Sequence, residues 1–155
     1  MVRSMVFGIL MTAVAATSLH AQEPAAPAAA AQAAKPNART FSGDGALSLF
    51  FVKADKTADF EAVVGKLKEA LAKNEARKEQ AASWKIFKSD PAPASGPVIY
   101  VSMVDPVVKG VDYDLVNILA EGFPAEAQAL YNQYVGALAQ GTNIVNLVTV
   151  QKMGQ

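Results

Sequence analysis

The sequence predicts an α+β fold, a four-stranded antiparallel sheet with its helices on one face, and three observations lead to it. The stretch Ala81–Asp105 contains two strand-like segments joined by a loop rich in proline and small residues. An amphipathic helical pattern precedes this hairpin, and helical patterning follows it. A further apolar, strand-like segment lies beyond each helical region. The predicted order is therefore β-α-β-β-α-β, in which two βαβ-like halves share one sheet.

The first strand and the first helix have the clearest patterns. Ala46–Lys53 alternates between two faces, and both faces carry large apolar side chains. Thr57 is the predicted N-cap of the helix that follows, because Asp59 and Glu61 stand in its first turn, where the helix dipole favours negative charge. The apolar residues of this helix recur at the spacing of one buried face: Phe60, Val63, Val64, Leu67, Ala70 and Leu71.

The central hairpin is predicted to pair Ala82–Lys88 with Val98–Val104. Asp90–Pro97 between them is expected to be a loop, because its prolines and Gly96 prevent regular strand pairing. Both strands again present apolar side chains on both faces.

The second half of the domain is predicted to contain a broken helical region and a last strand. Asp112 is the expected cap of a short helix containing Leu115–Leu119. Pro124 suits the first position of a second helical segment, which Gly141 ends. Thr142–Val150 is the predicted final strand.

Residues 1–21 have the pattern of a signal peptide. Arg3 precedes an uncharged apolar run, Met5–Ala16, and small residues around Ala21 provide a cleavage site. The run is shorter than the roughly 20 residues that a membrane-spanning helix needs, which disfavours the alternative of an uncleaved anchor. We therefore expect a protein exported to the periplasm or to the cell exterior.

Three further segments follow the signal peptide. Residues 22–44 are dominated at their start by alanine and proline, and a segment with so little to bury is expected to be a flexible linker. Residues 45–152 form the predicted domain, and residues 153–155 are a tail.

Composition excludes several classes of function. The 155 residues include 14 basic and 14 acidic side chains, whereas a nucleic-acid partner requires a basic surface. The chain has no cysteine, and its one histidine, His20, would leave with the signal peptide. Catalytic triads, cysteine nucleophiles, zinc sites with nitrogen or sulfur ligands and His- or Cys-ligated haem are thus excluded. We expect no metal and no other cofactor.

The apolar residues on both faces of every strand predict an apolar sheet face that the helices leave bare, which is typical of a partner or ligand surface. In element order and patterning, the chain resembles the dimeric α/β-barrel superfamily of ferredoxin-like folds, which includes the antibiotic-biosynthesis-monooxygenase-like proteins. The segments SWKIFKS and YVSMVDP also resemble those of exported bacterial proteins of this shape. The resemblance implies a ferredoxin-like domain over residues 45–152 and a homodimer in which two sheets pack bare face to bare face. No catalytic motif of the superfamily can be matched here.

Two kinds of function remain open. The first is a noncatalytic, self-associating module, acting as an assembly subunit alone or also binding a small apolar ligand. The alternative is a cofactor-independent monooxygenase-like enzyme acting on a small aromatic substrate, since some members of the superfamily hold such substrates with Trp, Tyr and Asn side chains. Either kind could use the same six pocket candidates, which are equally suited to packing in the core: Trp84, Tyr100, Tyr113, Asn117, Tyr131 and Tyr134.

Asp105, Asp112 and Asp114 cluster after the third strand and offer oxygen ligands for a hard cation such as calcium. They lack the regular spacing of calcium-binding loops. Capping and solvation are therefore the expected roles of these carboxylates.

Overall fold

The computed structural model describes residues 38–90 and 92–154, and an antiparallel sheet lies at its centre. Neighbouring strands are antiparallel throughout, and their order is β2-β3-β1-β4. The predicted α+β class with a four-stranded antiparallel sheet is confirmed. The strands are β1 (Gly45–Val52), β2 (Trp84–Lys88), β3 (Val98–Val104) and β4 (Asn143–Leu147).

The helical segments occupy the connections that the sequence predicts. No helix in the described part of the chain is long and apolar enough to cross a membrane. The α-helices are α1 (Thr57–Lys73), α2 (Lys78–Ala82), α3 (Leu115–Gly122) and α4 (Ala127–Ala137), and short 3-10 turns precede α1 and α2 at Ala54–Lys56 and Glu75–Arg77.

The core lies between the helices and one face of the sheet. On β1 and β3, Phe50, Val52, Val98 and Tyr100 pack against Phe60 of α1. A second cluster joins the helices to one another. It buries the apolar residues of α1 that recur with the helical period. Its members are Val63, Leu67, Ala70, Leu71, Leu115, Ile118, Leu119, Phe123 and Leu130.

Two predicted strand boundaries change because of contacts that are remote in sequence. Strand β2 begins at Trp84 rather than Ala82, because the preceding residues form α2, where the buried Gln80 donates from Nε2 to the carbonyl of Asp112 at 2.9 Å. Strand β4 ends at Leu147 rather than Val150, because its partner strand β1 begins opposite it at Gly45.

The predicted helix starts are corrected as well. Lys56 is the N-cap of α1, and Thr57 is the first helical residue. Asp114, not Asp112, caps α3, and its Oδ1 accepts from the backbone N–H groups of Val116 and Asn117 at 3.0 and 3.2 Å.

The last helix is also shorter than the sequence predicts. Turn residues occupy positions 124–126, so α4 begins at Ala127 rather than Pro124. It ends at Ala137, before Gly141, because the chain already turns extended at Leu138, where it forms an isolated bridge to Val52.

The predicted signal peptide and residues 22–37 of the predicted linker lie outside the described residues. Ordered contacts begin at Arg39, ahead of the expected start of folded structure at Gly45, because its backbone N–H donates to Asp112 Oδ1 at 2.7 Å. Phe41 is buried against Tyr113, with 4.9 Å between the ring centroids. The last residues of the predicted linker therefore pack against the domain.

Candidate functional site

The face of the sheet opposite the helix-packed face is here called the open face. The strand register places its members side by side across all four strands, since alternate residues of a strand point to the same side. It consists of Leu47, Leu49 and Phe51 of β1, Ile99, Val101 and Met103 of β3, Lys85 and Phe87 of β2, and Asn143, Val145 and Leu147 of β4.

The open face is apolar at its centre and polar only on its outer strands. The members from β1 and β3 are half-buried by their neighbours, while Phe87 and Val145 on the outer strands are 48% and 45% exposed. The outline of such a sheet is on the order of 400 Å², from four strands about 4.8 Å apart and on average about six residues long. Apolar patches of this size on soluble proteins are often functional surfaces.

The opposite face divides the pocket candidates into separate groups. Trp84 meets Tyr113 edge-on, with 5.5 Å between the ring centroids, and its indole N–H donates to Ser102 Oγ at 2.6 Å. The Tyr113 hydroxyl accepts from the backbone N–H of Val108 at 2.9 Å. Both polar ends are thus engaged within the protein, which is how buried aromatic residues with a polar group are normally satisfied.

Tyr100 and Tyr134 belong to a second aromatic group, whose shared member is Phe60. The centroid distances from Phe60 are 4.7 Å to Tyr100 and 6.4 Å to Tyr134. The Tyr134 hydroxyl lies 3.4 Å from Thr142 Oγ1. Burial raises the pKa of Tyr134, and burial followed by the hydrogen bond to Glu61 raises the pKa of Tyr100, so both phenols are held in the neutral form.

The remaining two candidates lie apart from both groups. Asn117 is buried on α3, and its amide donates to Asp112 Oδ2 at 2.7 Å. Tyr131 is 42% exposed on α4. The structure therefore brings the six candidates together only in part, as two packed aromatic groups, and does not gather them around one cavity.

Glu61, Lys88 and Tyr100 form a small polar cluster where α1 meets β2 and β3. Glu61 Oε1 accepts from the Tyr100 hydroxyl at 2.6 Å and from Lys88 Nζ at 2.9 Å. The Tyr100 hydrogen bond, then that from Lys88, lowers the pKa of Glu61. Because the carboxylate is ionised and both partners are used, this cluster ties the helix to the sheet.

The carboxylates of Asp112 and Asp114, after β3, accept hydrogen bonds from backbone N–H groups. Asp112 Oδ1 accepts from the N–H groups of Arg39 and Asp114, while Asp114 caps α3. Burial would raise the pKa of Asp112, but the hydrogen bonds from Asp114, Arg39 and Asn117 outweigh it and lower this pKa. Within residues 38–90 and 92–154, no group of three or more His, Cys, Asp or Glu side chains is placed to hold a metal ion.

We expect Asp112→Asn to reduce the free energy of unfolding by about 1–3 kcal/mol near neutral pH. The amide keeps one acceptor oxygen but loses the negative charge and the oxygen that accepts from Asn117. The pKa of Asp112 is lower in the folded than in the unfolded chain. Its contribution is therefore fully present above the unfolded value, about 3.9, and is lost as the pH falls through the folded value. Urea unfolding of wild type and variant at several pH values measures this difference, which should shrink in acid.

Asp90→Asn is the matched control, since Asp90 is exposed in the loop between β2 and β3. Its effect should stay within about 0.5 kcal/mol. A difference between wild type and Asp112→Asn that is the same at every pH would contradict the role given to the Asp112 charge.

An apolar groove of about 230 Å³ lies between α1 and the outer strand β2. The sequence analysis did not predict this groove. One signal was present: Val64 and Lys68 are four residues apart, which puts the lysine beside the apolar face of α1. The lining residues are Val64, Leu67, Lys68 and Leu71 of α1, Ala81 of α2, and Trp84 and Ile86 of β2.

Comparisons with protein-family models, with curated proteins and with solved structures find no match for this chain. The open face and the groove are the features of the described residues that bear on function.

Proposed function

We propose that this chain is a noncatalytic α+β module of ferredoxin-like topology that self-associates through the open face and takes a small apolar ligand. The observation that carries the proposal is the open face, which spans all four strands with apolar side chains and has no charged residue on its two central strands. The strand order β2-β3-β1-β4, with antiparallel neighbours, supports the topology.

A second copy of the chain is the partner that this surface fits best. In a two-fold interface the same patch meets itself, so a charge near its centre would face its own copy and be repelled. The central strands instead contribute Leu49, Phe51 and Val101, which can interdigitate with their counterparts. Two sheets packed this way lie about 10 Å apart and form a shared core, which is the arrangement proposed for a dimeric barrel.

We further propose that the protein is exported, with residues 1–21 as its signal peptide, and that it works in the periplasm or outside the cell. Arg3 ahead of the uncharged apolar run Met5–Ala16 supports export. The balance of 14 basic and 14 acidic residues suits a protein without a nucleic-acid partner. The alternative, a cofactor-independent monooxygenase-like enzyme, would need its aromatic side chains to surround a substrate. Their separation into two packed groups gives that alternative no support.

We expect the wild-type protein to be a dimer in native mass spectrometry and Val101→Glu to weaken the dimer at least 100-fold. Val101 lies between Leu49 and Phe87 at the centre of the open face. A carboxylate there would be buried against the same carboxylate of the second copy, which costs at least about 2.7 kcal/mol, the equivalent of that factor.

Ala129→Glu is the matched control, because it adds the same charge at an exposed position of α4. Circular dichroism should find both variants folded. A wild-type protein that is monomeric at tens of micromolar, or two variants with equal dimer affinity, would count against self-association through the open face.

A further inference from the structure

The side chains that line the groove between α1 and β2 are almost all apolar. The indole N–H of Trp84 already donates to Ser102 Oγ, so the ring offers only carbon atoms to the groove. Apart from Lys68, the other lining side chains are those of alanine, valine, leucine and isoleucine. A molecule in this groove would therefore meet hydrocarbon and aromatic carbon over most of its surface, as in most small-molecule sites.

Lys68 gives the groove a single positive charge. The two glutamates of α1 pair with other lysines: Glu61 lies 2.9 Å from Lys88, and Glu69 lies 3.9 Å from Lys66. Among the described residues no ion pair involves Lys68 itself. An anion placed beside this apolar surface would consequently find its strongest partner in the Lys68 ammonium.

The size of the groove limits the apolar part of the molecule. Its volume of about 230 Å³ corresponds to roughly eight water-sized units at about 30 Å³ each. A saturated or aromatic body of about eight carbon-sized groups would fill it.

We propose that this groove binds a small monocarboxylate with an apolar body, its carboxylate on Lys68 Nζ and its body against Trp84 and Ile86. The proposal rests on the ligand-binding part of the proposed function and names the class of ligand. It does not depend on self-association, because the groove lies on the helix-covered side of the sheet and the open face lies on the other.

Octanoate is the probe, and Trp84, the only tryptophan of the chain, is the reporter. We expect octanoate to change the Trp84 emission saturably, with a dissociation constant of about 1 mM or lower, the order of magnitude for a ligand of about ten heavy atoms. Octylammonium, which has the same body and the opposite charge, should bind at least tenfold more weakly. Isothermal titration calorimetry on the same protein measures binding independently of the fluorescence.

Lys68→Gln should weaken octanoate binding about threefold to tenfold, and Lys68→Arg should restore most of it. Lys152→Gln is the matched control, because it removes an equal charge from an exposed residue that belongs neither to the groove nor to the open face. Ala81→Leu, which fills one end of the groove, should weaken octanoate and 1-octanol alike.

The possible outcomes separate the two proposals. Equal effects of Lys68→Gln and Lys152→Gln, or equal binding of octanoate and octylammonium, would overturn the carboxylate assignment. If 1-octanol bound as tightly as octanoate, the groove would bind small apolar ligands, but the proposal that the ligand carries a carboxylate would be wrong. If no probe bound to a protein that native mass spectrometry finds dimeric, the groove would be excluded as a site while self-association remained.

Discussion

Phe60→Ala should lower the free energy of unfolding by about 3–5 kcal/mol, which is the usual loss when a fully buried phenylalanine is truncated. Phe60 has no exposed surface and is the fourth residue of α1. Its ring lies 5.4 Å from that of Phe50 on β1 and 4.7 Å from that of Tyr100 on β3. Removing it would therefore leave a cavity at the point where the helix meets both central strands.

Equilibrium unfolding in urea, followed by circular dichroism, measures this loss. Tyr131→Ala is the matched control, because it also removes an aromatic ring but from a side chain that is 42% exposed. Its effect should stay near 0.5 kcal/mol. If the two variants lost similar stability, or if Phe60→Ala lost less than about 1 kcal/mol, the central position of Phe60 in the core would be wrong.

Gly122→Ala should cost about 1–3 kcal/mol, although alanine is the better helix former. A Cβ atom at Gly122 would lie 2.5 Å from the Cβ of Ala70 and 2.9 Å from its Cα. These distances are far below van der Waals contact, so α1 and α3 would have to move apart. Gly122 is thus required by the close approach of two helices.

A double-mutant cycle separates this steric conflict from other effects. Ala70→Gly removes the Cβ atom that the new methyl group would strike, so the double variant Ala70→Gly/Gly122→Ala should be more stable than Gly122→Ala alone. Gly65→Ala is the control: a Cβ there meets nothing within 4 Å, and the substitution should stabilise α1 by about 0.4–1 kcal/mol. Additive losses in the cycle would rule out the steric explanation.

Local patterns were sufficient wherever an element depends mainly on its own residues. The bounds of β3 agree with the sequence prediction, because Val98–Val104 is a continuous apolar strand with a proline-rich loop before it. Helix α1 was likewise predictable, since its buried residues follow one helical face. The apolar open face followed from strand alternation alone, while the dimer that it implies stays a prediction.

The remaining differences come from contacts between segments that are distant in the chain. The β propensity of Val148 and Val150 suggested a longer β4, but no part of β1 lies opposite them. The glutamine that anchors α2 finds its partner in the carbonyl of Asp112. Residue type therefore could not reveal where these elements end.

The candidate site was predictable only in part for a related reason. The sequence shows which aromatic and amide side chains could line a pocket. Which of them lie together depends on which helix covers which strand. Trp84 and Tyr100 lie on adjacent strands, yet they pack against different partners. Trp84 packs against Tyr113, and Tyr100 packs against Phe60. The groove arises because β2 is an outer strand, which periodicity within β2 does not reveal.

The segment before β1 is hydrogen-bonded to the end of the domain, in and just after β4, and this contact has a mechanical consequence. Ser42 donates from its backbone N–H to Asn146 Oδ1 at 3.1 Å, and the backbone N–H of Thr149 donates to Asp44 Oδ2 at 3.0 Å. Strands β1 and β4 are antiparallel, so the chain enters and leaves this pair at the same end. Tension between the two ends would load their hydrogen bonds one after another, as in opening a zipper, rather than all at once. The exposed strand β4 would thus be the first element to peel away under force.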